Sequence, residues 1–350
     1  MGIAHAREVR GLEAKGPAAS IPRGNRATRK KGVAEMHELN PSRFSGCLLG
    51  LAVGDALGMP LEGMRASSIR KRVGRVRDFM DAPWRMLKAG QWTDDTKMML
   101  CHARSILERR GVDVEDTARK FVAWFESGDW RGIGGSTYES IRRLRAGVHP
   151  EESGARGEMA AGNGAAMRIA PVGLADCLDL EKLRRDVREV SMITHANPEA
   201  VAGAQAVAFA VAKAARGDLQ PPSLIAETVD FIGPCAVSER LLLAEKFLSG
   251  GMEPEEALAR LGTSGYVVEA VASAFFCFLR TPKDFEETVS RAVEGGLDSD
   301  TTGAVAGAIS GAFNGLEGIP ERWRRGVEAA EEIIGLGEGI FRLVSEGLTA

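Results

Sequence analysis

Two short segments of this chain concentrate side-chain oxygens: Thr93-Asp94-Asp95-Thr96 and Asp298-Ser299-Asp300-Thr301. Each supplies two carboxylates and a threonine hydroxyl within four residues. Oxygen-only donor sets of this kind suit hard divalent cations such as magnesium, manganese or calcium. Brought together, the two segments would form a cage for such ions. Taken singly, each is also explained as a helix N-cap, because Thr and Asp accept bonds from free amides and acids favour the positive end of the helix dipole. One cap does not need two acids between two threonines, and the same inventory occurs twice. The second cluster is not an EF-hand loop, since the glycine and terminal glutamate of that loop are missing at the required offsets.

Four further segments carry polar or glycine-rich turns. Glu62 follows Gly54-Asp55-Ala56-Leu57-Gly58-Met59-Pro60-Leu61, where Gly58 and Pro60 end an apolar helix and leave the glutamate on a loop. An exposed surface glutamate is the plain reading of that segment alone. Gly132-Ile133-Gly134-Gly135-Ser136-Thr137 opens a helix. The free amides of such a turn can cradle a phosphate, although many glycine turns hold nothing. Gly162-Asn163-Gly164-Ala165 is a second small-residue loop leading into a helix. His195 lies between two helices, where a capping or packing role is the simpler one.

The elements that must position these residues are helical. Met98, Met99, Cys101, Ile106 and Leu107 fit one buried stripe, Val114, Ala118, Phe121, Val122 and Phe125 another, and Leu183, Val187, Val190 and Met192 a third. Similar stripes cover 200–215, 224–231, 238–247, 266–279, 285–293, 304–313 and 327–343. A helix is expected to start near Thr302. Alternating strand patterns are nearly absent, and glycines and prolines fall between the stripes. The pattern predicts an all-α domain of a dozen or more helices. The small-residue surface from Gly303 to Ala312 predicts close backbone approach between two helices, since interior glycine otherwise costs ~1 kcal/mol per residue.

The chain has 350 residues, 44% of them apolar, and a net charge of -3. That size allows one large domain, and that charge gives no electrostatic case for nucleic acid or a polyanionic membrane. Residues 1–40 are basic (Arg7, Arg10, Arg23, Arg26, Arg29, Lys30 and Lys31 among them) and read as a mobile extension, with Met36 as an alternative start and a basic interaction arm as a further reading. Residues 41–350 are assigned to a single domain. No apolar stretch is expected to reach the ~18–20 residues of a membrane helix, 201–211 coming nearest. Five scattered cysteines and five histidines form no zinc pattern and fit reduced thiols in a cytoplasmic protein.

Six of these segments, 54–62, 92–96, 132–137, 163–168, 194–200 and 298–315, occur in the order found in the ADP-ribosylglycohydrolase family, and the chain resembles that family from residue 44 to 325. The family includes the (ADP-ribosyl)hydrolases and the dinitrogenase reductase-activating glycohydrolases. The resemblance implies a compact, orthogonal multi-helix all-α domain with a binuclear metal centre in a central cleft, holding two divalent cations, Mg2+ or Mn2+. It implies Thr93, Asp94, Asp95, Asp298, Asp300 and Thr301 as metal ligands, with Glu62, Asp95 and Asp300 as catalytic residues. It places the substrate diphosphate on Gly134, Gly135, Ser136, Asn163, Gly164 and Ala165, and His195 near the adenosine half. Two departures stand out: Leu297 replaces the second glycine of the Gly-Gly-Asp-x-Asp-Thr found in many members, and Gly132 falls where the activating glycohydrolases carry an acid, Asp129 being the nearest.

The reaction so implied is metal-dependent hydrolysis of the N-glycosidic bond between ADP-ribose and an acceptor, with ADP-ribosyl-arginine on protein leading. Serine-linked or small-molecule conjugates, a non-catalytic ADP-ribose-binding protein and a two-metal phosphate-ester hydrolase are the alternatives. The expected partner is an ADP-ribosylated protein or a small ADP-ribose conjugate, acted on by a monomer, with no nucleic acid or membrane.

Overall fold

Glycines set the central pair of helices. Gly46, Gly50, Gly54 and Gly58 recur at four-residue spacing on the helix Pro41–Gly58, and Gly303, Gly307 and Gly311 do so on Ser299–Asn314. Four-residue spacing keeps each set on one face. A Cβ on Gly50 would lie 2.3 Å from the carbonyl oxygen of Gly307, and one on Gly54 2.0 Å from that of Gly303. Backbone therefore packs directly on backbone, with the two helices antiparallel. Almost every residue of both helices is buried, and that burial offsets the poor helix propensity of the glycines.

The computed structural model describes residues 39–349, with side chains through Leu348. The expected basic extension lies outside the described residues up to residue 38, whereas Asn40 belongs to the domain: its side chain accepts from the Ser42 amide and caps the first helix. Among the described residues there are 17 α-helices and no strand, only isolated bridges such as Arg65–Gly296 and Gly162–Tyr266. The all-α expectation holds, with local differences. The helix expected near Thr302 begins at Ser299, so Asp300 and Thr301 lie in its first turn. The stripe from 327 begins later, because Val327 is extended (φ -78°, ψ 139°) between Glu321–Gly326 and Ala330–Thr349.

The expectation about membrane helices needs correction. Pro41–Leu61 spans 21 residues with a mean hydropathy of 1.5, enough by length and composition to cross a bilayer. Its 18-residue apolar window is wholly buried inside the protein, as the core helix of a globular fold is. Composition alone did not reveal it because its glycines break the apolar run. Packing the end of this helix against the start of Ser299–Asn314 (a Cβ on Gly58 would meet the Ser299 carbonyl oxygen at 2.3 Å) brings Glu62 and the second acidic cluster to one end of the core.

Candidate active site

The helix Asp94–Arg109 starts with no side-chain cap of its own. Its cap comes from the first helix. Asp55 accepts from the Thr93 amide (3.0 Å) and hydroxyl (2.9 Å) and from the Thr96 amide (3.0 Å) and hydroxyl (2.6 Å). Burial pushes the Asp55 carboxyl up to about 6, against the opposing pull of these bonds. The two threonines of the first cluster are thus bound to Asp55, while Asp94 and Asp95 are left to face the site. In the second cluster Asp298 occupies the N-cap position without a side-chain cap bond. Capping accounts for only part of what these acids do: Asp300 accepts from the Thr301 amide at 3.0 Å, while Asp298 makes no cap bond.

The two clusters meet. Thr301 lies against Asp95, and Asp298 and Asp300 lie close enough to act electrostatically on Asp95. Burial first, then Asp55, Glu62 and Asp298, push Asp94 up to about 8. Burial and the neighbouring carboxylates drive Asp95 and Asp300 well above the carboxylate range. One oxygen of Asp95 is buried with no hydrogen-bond partner, which ordinarily costs 1–3 kcal/mol. Among the described residues no three His, Cys, Asp or Glu side chains converge in ready-made ligand geometry. The acids are gathered within electrostatic reach of one another without aiming at one point. An orphaned carboxylate oxygen amid mutually repelling acids fits divalent cations, which would satisfy the oxygen and neutralise the charge.

Glu62 is half-buried beside these acids and pairs with Arg85. It acts electrostatically on both Asp94 and Asp300, so it faces both clusters. Gly132 (φ +81°) packs against the same acids, with its would-be Cβ 2.7 Å from Asp94 Oδ1 and 3.2 Å from Arg85 Nη1. No side chain fits there without movement. Asp129, the nearest acid, is taken up by Lys97 (3.1 Å) and Arg131 (2.9 Å). Beyond it, Gly134 begins the helix Gly135–Arg145 with no side-chain cap, and Gly134 and Gly135 are exposed with open space around them. That end offers free amides to an anion.

The Asn163 loop touches the second cluster directly: Asn163 Nδ2 donates to Asp298 at 2.8 Å. Gly164 lies against the His195 ring, where a Cβ would come within 2.4 Å of Cε1. His195 is buried, hydrogen-bonded to the Thr194 hydroxyl (2.8 Å), and lowered to about 3 by burial and by Arg168. It is a neutral ring that props the loop, so it reaches the cleft through Gly164. Ala165 is fully buried behind Asn163. The structure thus brings together Glu62, Asp94, Asp95, Asp298, Asp300, Thr301 and Asn163, with His195 behind Gly164.

Three residues of the site escaped the sequence reading of roles. Asp55 carried a signal, as a lone carboxylate in a buried apolar helix that must find donors. Arg85, on a loop, carried none. Arg168 is fully buried and donates to the Gly164 carbonyl (2.9 Å) and to His102 (3.3 Å), with its guanidinium 4.9 Å from the Phe121 ring centre. It has no carboxylate partner within bonding distance, and burial lowers it to about 9.

Known proteins bear out the class of molecule. The ADP-ribosylglycohydrolase family model matches residues 36–348. The ADP-ribosyl-[dinitrogen reductase] glycohydrolase of Rhodospirillum rubrum is 31% identical over 80% of this chain and 88% of its own length. The ADP-ribosylarginine hydrolase Tri1 of Serratia proteamaculans is 29% identical over 87% of this chain and 80% of its own. A solved structure described as an ADP-ribosylglycohydrolase-related protein complex superposes with a TM-score of 0.73 at 33% identity, covering 87% of this chain and 98% of its own. The chain belongs to the ADP-ribosylglycohydrolase family, and it is a hydrolase of ADP-ribosyl linkages.

Proposed function

We propose that this enzyme releases ADP-ribose from ADP-ribosylated arginine on protein, with two divalent cations, Mg2+ or Mn2+, held by Thr93, Asp94, Asp95, Asp298, Asp300 and Thr301. The observation that carries the metal reading is the unpartnered, buried oxygen of Asp95 facing the second acidic cluster. When bound, the cations supply Lewis acidity: they neutralise the carboxylates, orient ribose hydroxyls and make water a stronger acid. The chain's own residues do the rest. The amides of Gly134, Gly135 and Ser136 take the diphosphate at the open helix end, assisted by the Asn163–Ala165 loop. Asn163 holds Asp298 in place. Glu62, paired with Arg85, accepts a proton from the water that attacks the ribose anomeric carbon, while the bond to the protonated guanidinium breaks and arginine leaves as its neutral guanidine. Arginine leads as acceptor because the Serratia relative bears that specificity in its name. Five free cysteines, four of them buried, support placing the enzyme in the cytoplasm.

The test is release of free ADP-ribose from arginine-ADP-ribosylated and serine-ADP-ribosylated protein in parallel, with Mg2+ and then with EDTA. Metal-dependent release from the arginine conjugate is the expected result. Release from the serine conjugate alone would overturn the acceptor, and undiminished release in EDTA would overturn the metals.

A further inference from the structure

A second cavity lies behind the active site and uses none of its chemistry. It has a volume of about 630 Å³ and opens between the helices Ala66–Arg72 and Pro254–Leu261 and the turn at Gly295–Leu297. That volume is within the range of small-molecule sites, ~300–1,000 Å³. Its apolar wall includes Ile69, Leu258, Ala259 and Leu297.

Leu297 is the informative residue. It holds φ +56°, a left-handed conformation that costs a leucine roughly 1–2 kcal/mol. Its side chain is nonetheless 42% exposed and lines this cavity. A glycine would remove the strain and the exposed apolar surface together. A lone exposed leucine is ordinary, but this one is strained in backbone and stands in the wall of a cavity beside Leu258 and Ala259.

The charges define the occupant further. Arg75 and Arg291 are both engaged by Glu287 and Glu294, and Arg70 is paired with Glu255 at the mouth. The guanidinium of Arg65, exposed on the same wall, has no hydrogen-bond or ion-pair partner among the described residues. One guanidinium is therefore free beside an apolar wall.

We propose that this cavity is a binding site for an amphipathic small molecule, an apolar body carrying a single carboxylate, sulfonate or phosphate. The body covers Leu297, Leu258 and Ala259, and the anion meets Arg65. The occupant lies against the turn whose Leu297 amide donates to the Met64 carbonyl (2.7 Å) and whose next residue is Asp298. Bound there, it touches the far side of the segment that presents the second acidic cluster.

The test uses 1-anilinonaphthalene-8-sulfonate as probe on the full chain, with N-phenyl-1-naphthylamine as its uncharged counterpart. The expected result is saturable binding of one sulfonate probe per chain, displaced by decanoate and not by saturating ADP-ribose, with the uncharged probe weaker. Arg65→Glu and Ala259→Trp, both at exposed positions, should each weaken the probe about tenfold, which is about 1.4 kcal/mol, with the melting temperature unchanged. Displacement by ADP-ribose, or unaltered binding in Ala259→Trp, would overturn the site. Weakening in Ala259→Trp but not in Arg65→Glu would overturn the anionic character of its ligand.

Discussion

Asp55 closes the amino end of a helix to which it does not belong: its two carboxylate oxygens both lie 3.0 Å from the Thr93 amide. The bond ties the glycine-rich central helix to the segment carrying Asp94 and Asp95. It also relieves Thr93 and Thr96 of capping, so the acids between them can serve the cleft.

Asp55→Ala should leave four buried donors on Thr93 and Thr96 without an acceptor. At about 1–3 kcal/mol for each buried group left unsatisfied, the loss should exceed that of an ordinary core substitution. Asp55→Asn keeps one acceptor oxygen and should lose less. Urea unfolding of the three proteins checks the order; equal stability of Asp55→Ala and wild type would remove Asp55 from this role.

Much of this was legible before the fold. Period 3.6 stripes located the helices because each buries one face. The small residues from Gly303 to Ala312 announced the close helix pair, although their partners Gly46, Gly50 and Gly54 did not stand out among the large apolar residues around them. Leu297 was legible as a departure from a Gly-Gly pattern; that its backbone is left-handed, with φ +56°, came only with the fold. The Glu62–Arg85 pair and the buried Arg168 were not legible. Both depend on which loop or helix end lies opposite, and tertiary packing decides that.

Asp300→Asn removes one charge from a crowded, buried set. In EDTA it should melt at or above the wild-type temperature, since its neighbours lose a repelling carboxylate. With Mg2+ the wild type should gain in melting temperature and the variant should not, and ADP-ribose release should be abolished in the variant. The pH dependence has a definite sign. A carboxyl raised to about 8 in the folded state, as for Asp94, holds a proton that the unfolded chain has lost. Metal-free stability from these acids should therefore fall as pH rises from about 4 toward about 8. Because the buried histidines act in the opposite direction, the acids' share is read against the variant: metal-free wild type and Asp300→Asn with parallel stability profiles over that interval would contradict the crowding.

Gly54→Ala should destabilise strongly, because its Cβ would lie 2.0 Å from the Gly303 carbonyl oxygen and backbone cannot step aside as a side chain can. A cost of about 3 kcal/mol or failure to fold is expected. Gly335→Ala is the control: it is also within a helix, its Cβ meets nothing within 4 Å, and it should gain up to ~1 kcal/mol from propensity. Opposite signs for two chemically identical substitutions, read by denaturant midpoint, would establish the backbone contact; similar gains in both would disprove it.

Two buried histidines should make the fold acid-sensitive. His102 accepts from Arg168 Nε at 3.3 Å and packs edge-on against Phe121, and His195 lies under Gly164. Burial, reinforced by Arg168, holds His102 well below the usual imidazole range and His195 at about 3. Below pH ~6.5 the unfolded chain takes up protons at both positions and the folded chain does not. The stability they contribute is present above that pH and is lost as pH falls, at about 1.4 kcal/mol per pH unit for each histidine. His102→Gln removes one of the two without touching the acids of the cleft. Between pH 7 and pH 5 the wild type should therefore lose about 2 kcal/mol more than the variant, read by urea unfolding. Parallel pH profiles would mean that His102 carries its proton in the folded state, and Arg168 would then not be the unopposed buried cation beside it.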